Sequence, residues 1–303
     1  QQDMNRHPYR DFADFLAGHF ACKMQKLTID GGLTCPNRDG TLGRDGCIYC
    51  SNRSFTPSYC RSTMSVSEQI DTGKRFFSRK YPSMRYLAYF QSFTGTYADS
   101  SELIALYSEA LAAEGVDGLV IGTRPDCLNT DLLEWLSHLA QEKFVMIEFG
   151  AETSHDITLQ RINRCHTWQD VVEAVEKTHQ AGIFTGIHLI NGLPGENEDM
   201  IMQTVEAINK LPVDVVKFHQ LQVVRGAPLA RMWQDGTADI VSWTARQYAE
   251  LCACIVERLR PDIAIDRFVS QSPDELLITP RWGLKNHEFT ALVIKALNRR
   301  REN

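Results

Sequence analysis

The chain has 303 residues, of which 43% are hydrophobic and 23% are charged. This composition is typical of a globular protein and excludes disordered and collagen-like classes. The net charge of −6 provides no overall field that favours phosphate groups, so a nucleic-acid partner would have to bind at a local basic patch.

No stretch of the sequence has the roughly 20 uninterrupted apolar residues that span a membrane. The first twenty residues interrupt a short apolar set with Arg10, Asp11 and Asp14, which is unlike the apolar core of a signal peptide. We therefore expect a cytoplasmic protein with no membrane partner. In that reducing compartment, the nine cysteines are predicted to be core residues or metal ligands rather than a disulfide framework.

Short β-branched or aromatic segments alternate with amphipathic helices, which is typical of βαβ units and a mainly parallel sheet. The predicted strands are 26–30, 85–90, 118–123, 144–150, 184–190, 215–224 and 263–268. Six repeats and a terminal strand suit a partial (β/α)6-type TIM barrel, although a flat doubly wound sheet shares this pattern. The motifs described below favour the barrel.

We predict a single α/β domain, because no Ser/Gly-rich linker or low-complexity segment divides the chain. Its expected parts are an N-terminal helical extension at 1–22, a barrel core at 23–225 and a C-terminal extension at 226–303.

Capping signals mark the ends of two predicted helices. Ser65 with Glu68 begins one of them, and Thr167 with Asp170 begins the other. In such a capping box, each side chain bonds to the backbone of the other residue. Gly182 is expected to end the second helix.

A long irregular loop, GGLTCPNRDGTLGRDGCIYCSN, follows the first predicted strand and contains Cys35, Cys47 and Cys50. A loop at the C-terminal end of a barrel strand lies where barrel active sites are built. Three thiolates can bind three irons of a [4Fe–4S] cluster and leave the fourth iron open for S-adenosylmethionine (SAM). One electron from such a cluster cleaves a carbon–sulfur bond of SAM and gives a 5′-deoxyadenosyl radical.

The spacing alone leaves two other interpretations of these cysteines open. Cys60 could complete a tetrahedral zinc site of four cysteines with the same three residues. Cys47 and Cys50 could instead form a core or redox CxxC turn. The aromatic Tyr49 directly before Cys50 favours the cluster. The sequence assigns no role to Cys22, Cys60, Cys127 and Cys165, and it predicts Cys252 and Cys254 to be buried in a helix as small apolar residues.

Four segments of the chain carry a family resemblance. CPNRDGTLGRDGCIYC resembles the cluster motif of the YhcC/YtqA-like radical SAM proteins. TRPDCL, IEFGAETSHDITLQRINRCHT and INGLPGE resemble both that family and the radical SAM domain of the catalytic subunit of Elongator. The resemblance runs from about Lys23 to about Leu284, and it implies a [4Fe–4S] cluster and SAM as cofactors. The eleven residues between Cys35 and Cys47 depart from the commoner CxxxCxxC spacing, as they do in these relatives.

The resemblance also implies which residues bind SAM. Tyr49 belongs to the cluster loop, and the residues expected at the SAM amino group follow the second strand: Gln91, Ser92, Phe93 and Thr94. Glu148 and Glu152 correspond to positions that hold ribose hydroxyls, and Arg164 to an arginine that binds the SAM carboxylate. A structural ion pair between Arg164 and Glu148 is the alternative.

Further SAM-binding positions follow the third and fifth strands. Thr123 begins the TRPD motif, in which Asp126 could instead have a structural role by bonding to nearby backbone N–H groups. His188, Asn191 and Leu193 belong to the strand and turn that resemble the segment near the adenine of SAM. His188 could equally be a hydrogen-bonded core histidine. The glycine-rich segment is expected to form a tight turn whether or not it contacts SAM. The same ambiguity applies to His219 and Gln220.

The resemblance implies a tRNA substrate, specifically a wobble uridine that carries a carboxymethylaminomethyl group and loses its carboxymethyl arm. The basic residues available for tRNA phosphates are Lys74, Arg75, Arg79, Lys80, Arg85, Arg299, Arg300 and Arg301. Such charge runs are also common on solvated helix faces. The alternatives are a radical SAM enzyme with a small-molecule substrate, in keeping with the acidic net charge, and a zinc-stabilised RNA-binding protein. An electron donor such as flavodoxin or ferredoxin is expected.

Overall fold

The computed structural model of the protein describes residues 7–51, 56–57, 59–78 and 83–302. Its strands are β1 (Met24–Ile29), β2 (Arg85–Phe90), β3 (Val116–Thr123), β4 (Phe144–Glu152), β5 (Phe184–Asn191), β6 (Val215–Gln220), β7 (Val223–Val224), β8 (Ala264–Arg267) and β9 (Leu277–Thr279). Its helices are α1 (Phe12–Ala17), α2 (Pro36–Asp39), α3 (Val66–Ser78), α4 (Ser100–Ala112), α5 (Thr130–Leu139), α6 (Asp156–Arg161), α7 (Trp168–Gln180), α8 (Glu198–Ile208), α9 (Pro228–Gln234), α10 (Ala245–Arg258) and α11 (Asn286–Glu302).

Seven strands of the described chain form one parallel sheet in the order β1-β2-β3-β4-β5-β6-β8. Each strand therefore pairs with the next strand of that sheet along the chain. A doubly wound sheet would instead reverse its strand order at a switch point. Strands added in strict chain order, with helices between them, form a half-barrel of the TIM type. The prediction of a partial (β/α)6-type barrel is confirmed.

Two details of the sequence prediction were wrong. The segment 215–224 was expected to be one strand, but the sheet strand β6 ends at Gln220, and β7 pairs in antiparallel fashion with β9. The boundary at residue 225 was also misplaced, because β8 pairs with β6 and completes the barrel sheet from within the expected C-terminal extension. In both cases the hydrophobic pattern shows which residues are buried but not which strand they pair with.

The capping signals of the sequence are confirmed. The Thr167 side chain accepts from the Asp170 amide while Asp170 accepts from the Thr167 amide, and Ser65 with Glu68 makes the same exchange before α3. Gly182 follows α7 with a φ of 74°. No helix of the described residues is both long enough and apolar enough to cross a membrane.

The two faces of the sheet pack against different partners. Outward-facing side chains such as Ala88 and Phe90 join the large core under the helices. Inward-facing side chains such as Leu87 and Met146 join a smaller cluster that includes Phe15 of α1. Because successive residues of a strand face opposite sides, both faces contribute buried apolar side chains here, as expected for a buried parallel sheet.

Helix α1 closes the N-terminal end of the half-barrel. Phe15 is 3% exposed and makes edge contacts with the rings of Phe144 and Phe184, which begin β4 and β5. The Asp11 side chain caps α1 by accepting from the Asp14 amide at 2.7 Å, and the backbone of Asp11 bridges to Ile265 in β8. The expected N-terminal helical extension thus contains a helix that packs into the barrel.

We predict that Phe15→Ala destabilises the protein by about 3–5 kcal/mol, because it leaves a cavity in a closed apolar cluster. The measurement is the free energy of unfolding in urea. The control is Phe76→Ala, since the Phe76 side chain is 67% exposed and its loss should cost no more than about 0.5 kcal/mol. Equal losses in the two variants would contradict the closing role of α1.

Candidate active site

A cavity of about 290 Å³ opens at the C-terminal ends of the barrel strands. This is the face where TIM barrels build their active sites, and the volume is near the lower end for small-molecule sites. The predicted site residues that line it are Cys35, Cys47, Cys50, Tyr49, Gln91, Phe93, Thr94, Thr123, Glu148, Glu152, Arg164 and His188.

The cysteine loop presents its three thiols to this cavity. Cys35 directly precedes α2, and the Cys50 amide donates to the Cys47 carbonyl at 3.0 Å, which closes the CxxC turn. Asn37 fixes the loop from inside, because its side-chain amide donates to the Asn163 carbonyl at 2.6 Å. The loop is therefore ordered by its own contacts and by the chain around α6.

Two arginines stand beside the cysteines. Arg38 donates to the Cys50 carbonyl at 2.9 Å, and Arg164 approaches the Cys47 sulfur at 3.5 Å. Burial raises the pKa of Cys50, while the Arg38 guanidinium acts against that rise. Nearby cations favour the thiolate, which is the form of cysteine that binds metal.

Cys60 lies outside the cavity, so the interpretation that it completes a zinc site was wrong. Its thiol donates to the Gln69 side chain at 2.8 Å, and burial raises its pKa to about 12. In the described part of the chain, no three Cys, His, Asp or Glu side chains are grouped for a single metal ion. Cys22, Cys127 and Cys165 do not line the cavity either. Cys252 is buried as predicted, whereas Cys254 is only half-buried.

Arg164 is held by Glu152 and not, as one alternative had it, by Glu148. Its Nη2 atom lies 3.4 Å from the Glu152 carboxylate and donates to the Gly150 carbonyl at 2.6 Å. Position 150 must be glycine for this arrangement, because a Cβ there would lie 2.4 Å from Arg164 Nη2. Burial raises the pKa of Glu152, against the opposing charge of Arg164.

Strained backbone is concentrated around this pair. In the described chain, the non-glycine residues with positive φ are Phe93, Glu152, Asn163 and Cys165, with φ between 56° and 68°. Phe93 and Glu152 line the cavity, and Asn163 and Cys165 flank Arg164. Backbone strain of this kind persists where the surrounding structure imposes it, and it is often found at functional sites.

Beneath the cavity, Glu148 accepts hydrogen bonds from four side chains on four strands. Lys26 lies 2.5 Å from Oε1, and Tyr89, His188 and Lys217 lie 2.7, 2.7 and 3.0 Å from Oε2. Both carboxylate oxygens are therefore engaged. Two glutamates were expected to bind the ribose of SAM. Of these, Glu152 has the greater remaining capacity to accept hydrogen bonds from a ligand in the cavity.

The electrostatics of this group follow from burial and from its lysines. Burial alone would raise the pKa of Glu148, but the charges of Lys217 and Lys26 outweigh it and hold that pKa well below its usual range. Burial lowers the pKa of Lys217 to about 8 and that of His188 to about 4. His188 is therefore neutral near pH 7, where it both donates to Glu148 and lines the cavity.

The structure does not bring every predicted residue to the cavity. Asn191 donates to the Tyr248 hydroxyl at 3.0 Å, Leu193 is fully buried in an apolar cluster, and neither lines the cavity. Ser92 is buried at the end of β2 and is not part of the lining. In the TRPD motif, Asp126 binds both nitrogens of the Arg124 fork at 2.8–2.9 Å rather than backbone N–H groups.

The sequence did not predict that the C-terminal part of the chain forms one wall of the cavity. Arg267 at the end of β8 and the segment 270–272 line the cavity, together with Gln222 and Arg38. The available signal was positional: residues that follow a barrel strand at its C-terminal end belong to the active-site face.

Comparison with known families identifies the fold and the site together. A model of the radical SAM superfamily matches residues 35–208, and a model of the Radical_SAM C-terminal domain matches residues 213–299. The chain belongs to the radical SAM superfamily. The first match begins at Cys35, the first of the three cysteines that line the cavity.

Relatives of this radical SAM protein extend over nearly its whole length. YtqA of Bacillus subtilis is 35% identical over 95% of this chain and 88% of its own, and YhcC of Escherichia coli is 34% identical over 89% and 86%. The resemblance stated from the motifs is confirmed. A shorter match of 28% identity covers 39% of this chain and 22% of the tRNA uridine(34) acetyltransferase of Methanocaldococcus jannaschii.

A similar fold occurs in Elp3 of the archaeon Methanocaldococcus infernus, with a TM-score of 0.67 at 16% identity. The alignment covers 94% of this chain and 65% of that one, so the chain spans slightly less than two thirds of the solved structure. At this identity the likeness concerns the fold alone.

Membership of the radical SAM superfamily implies a [4Fe–4S] cluster and SAM, and the cavity fits both. Three thiols with adjacent arginines face one space. In its lining, the hydroxyl of Thr94 is buried without a hydrogen-bond partner in the described chain. Buried polar atoms that lack a partner are rare and costly, so a polar ligand is the expected partner.

We predict that Cys35→Ala, Cys47→Ala and Cys50→Ala each abolish the cluster. After anaerobic reconstitution, iron and sulfide analysis of the unaltered protein should give about four irons per chain with a brown absorption. The control is Cys60→Ala, which should keep the cluster because Cys60 lies outside the cavity. A full cluster in any of the three variants, or stoichiometric zinc without iron in the unaltered protein, would contradict the assignment.

We predict that Glu148→Gln destabilises the protein by about 3–5 kcal/mol at pH 7, because it removes one of the two carboxylates shared by two buried lysines and leaves Asp266 alone to pair with both. The pKa of Glu148 is lower in the folded than in the unfolded protein, so this contribution is present above pH 4.5 and is lost as the pH falls below it. Urea unfolding at pH 7 and pH 4 measures both effects.

The control for this measurement is Glu173→Gln, an exposed residue of α7 whose loss should change stability by no more than about 0.5 kcal/mol. A Glu148→Gln variant as stable as this control would show that the buried lysines do not depend on Glu148.

Proposed function

We propose that this radical SAM protein binds its [4Fe–4S] cluster through Cys35, Cys47 and Cys50 and modifies the wobble uridine of tRNA. The proposed reaction breaks the bond between the side-chain nitrogen and the carboxymethyl carbon. That carbon loses a hydrogen atom to the deoxyadenosyl radical and one electron to the one-electron carrier, and water hydrolyses the resulting imine to the amine and glyoxylate. The observation that carries the enzyme class is the grouping of three thiols at one barrel cavity. The observation that favours tRNA is the sequence similarity to a protein named for uridine 34 of tRNA.

When bound, the cluster and SAM supply reductive cleavage of a carbon–sulfur bond and, through it, hydrogen-atom abstraction. A one-electron donor such as flavodoxin or ferredoxin is part of this proposal. So is a cytoplasmic location, where reducing conditions keep cysteines as thiols.

The residues of the chain orient SAM in this proposal. Arg164 binds the SAM carboxylate, because its guanidinium lies beside Cys47 and offers the fork that suits a carboxylate. Thr94 receives the SAM amino group at its unpartnered hydroxyl, which lies in the cavity lining. Glu152 accepts from the ribose hydroxyls, and Tyr49, which belongs to the cluster loop, lines the same cavity.

A second candidate is a radical SAM enzyme with a small-molecule substrate, and the surface charges favour it. Several basic residues expected at tRNA phosphates already have partners: Arg85 pairs with Asp117, Arg299 with Glu250 and Arg300 with Glu257. The side chains of Lys74 and Arg301 donate to backbone carbonyls, and that of Arg75 donates to Thr72. Arg79 and Lys80 lie outside the described residues.

We predict that the reconstituted protein, given SAM and a reductant, removes the carboxymethyl mass from tRNA that carries the carboxymethylaminomethyl group. Mass analysis of the digested nucleosides measures this loss, with the Cys47→Ala variant as control. If SAM is cleaved to 5′-deoxyadenosine while the nucleoside keeps its mass, the tRNA proposal is wrong and the small-molecule candidate replaces it. If added tRNA stimulates 5′-deoxyadenosine release, tRNA is favoured over a small molecule.

A further inference from the structure

Four arginines line the cavity, and three of them have partners in the protein. Arg38 donates to Cys50, Arg124 to Asp126, and Arg164 to Gly150 beside Glu152. The Arg267 side chain makes no hydrogen bond or ion pair with any residue that the structure describes, and its Nε atom is buried without a partner. The Arg267 side chain is half-buried, so the cost falls on the buried Nε–H group, and a ligand that accepts from this group would remove that cost.

A shift in strand pairing directs Arg267 into the cavity. Val216 of β6 pairs with Ile265 of β8, but the next residue, Lys217, pairs with Arg267, so Asp266 is an extra residue in β8. Bulges of this kind redirect side chains and are common beside active sites. Consequently, Asp266 faces inward to Lys26 and Lys217, while Arg267 also faces inward and lines the cavity.

The charges around Arg267 leave one positive charge in excess. The cations of the barrel interior are Lys26, Lys217 and Arg267, and its carboxylates in the described chain are Glu148 and Asp266. Burial lowers the pKa of the neighbouring His219 well below its usual range, with Arg267 adding to the effect, so this histidine is neutral. The other cavity carboxylate, Glu152, is matched by Arg164. An anionic ligand would restore the balance.

The wall beside Arg267 is held in place by two glutamines. Gln220 accepts from the Ser270 amide at 2.7 Å and donates to its carbonyl at 3.2 Å, so Ser270 is fixed at both backbone groups. Gln222 also donates to the Ser270 carbonyl, at 3.2 Å, and it accepts from the Ser272 hydroxyl at 2.7 Å. A polar wall that is ordered before binding reduces the entropy that a ligand must lose.

We propose that Arg267 binds the carboxylate of the substrate and thereby selects substrates that carry one. The planar guanidinium presents two parallel N–H groups, which match the two oxygens of a carboxylate. The inference rests on the proposed function, in which the arm to be removed ends in a carboxylate. In this proposal, different arginines of the cavity bind different ligands. The arginines near the cysteines contact the cofactors, and Arg267 contacts the substrate.

The test compares Arg267→Gln with the control Arg231→Gln, an exposed arginine of α9 outside the cavity lining. The probes are 5-carboxymethylaminomethyluridine and the same nucleoside with its carboxylate converted to an amide. Calorimetry on the reconstituted protein with SAM should show roughly 10- to 100-fold weaker binding of the acid to Arg267→Gln, the loss expected for a charge-assisted contact. Binding of the amide should be equal in all three proteins.

Two results of this comparison would overturn the inference. One is equal affinity of Arg267→Gln and the unaltered protein for the acid. The other is an equal loss of affinity for acid and amide, which would mean that Arg267 only supports the fold of the wall. On tRNA, the Arg267→Gln variant should show a raised KM with a much smaller change in kcat, whereas Arg231→Gln should keep both values of the unaltered protein.

A separate measurement distinguishes failure of this inference from failure of the tRNA proposal. If the unaltered protein neither binds the nucleoside nor modifies tRNA, the substrate is wrong, and acetate then serves as the probe. The Nε resonance of Arg267, recognised by its absence from Arg267→Gln in ¹⁵N-arginine spectra, should shift with acetate and not with acetamide. Such a shift supports the carboxylate site for another substrate, and its absence at saturating acetate overturns it.

Discussion

The inner face of the half-barrel depends on one buried carboxylate. Glu148 of β4 accepts from side chains of β1, β2, β5 and β6, so a single residue ties together five of the seven strands of the sheet. The neighbouring strand leaves room for it, since a Cβ at Gly186 would lie 2.9 Å from Glu148 Cγ. In a low-dielectric interior such bonds are strong, and an unpaired member is correspondingly costly.

This carboxylate group also joins the two edges of an open sheet. In the described sheet, β1 and β8 do not pair through their backbones, but Lys26 of β1 contacts both Glu148 and Asp266 of β8. The interior is therefore layered. Apolar residues around Phe15 fill the N-terminal end, the charged group lies above them, and the cavity lies at the C-terminal end. The cavity thus has a rigid floor in which the charges of Lys26 and Lys217 outweigh burial and keep Glu148 ionised.

The sequence was sufficient for the features that local chemistry determines. The capping boxes, the strand positions and the three cysteines depend on short-range pattern, and the structure contains them where they were expected. Contacts between segments that are distant in sequence could not be predicted from short-range pattern. The partner of Arg164 is an example, because choosing between Glu148 and Glu152 requires knowing that Lys26 and Lys217 already engage Glu148.

The errors have related physical causes. The division of 215–224 into two strands depends on β9, which comes much later in the chain, and periodicity within the segment cannot reveal it. Asn191 was assigned to SAM because its strand and turn resemble a segment near the adenine, yet its amide contacts Tyr248 of α10. Arg267 was missed because its direction is set by a one-residue shift in pairing with β6.

The position of β8 has a consequence for how the protein is assembled. The cysteines belong to the first loop after β1, whereas the strand that carries Asp266 and Arg267 comes much later in the chain. During synthesis on the ribosome, the thiols therefore emerge long before the last wall of their cavity exists. The closed, layered interior can form only after β8 has left the exit tunnel and paired with β6. A complete cysteine site, with all its walls, therefore cannot exist before β8 has been translated.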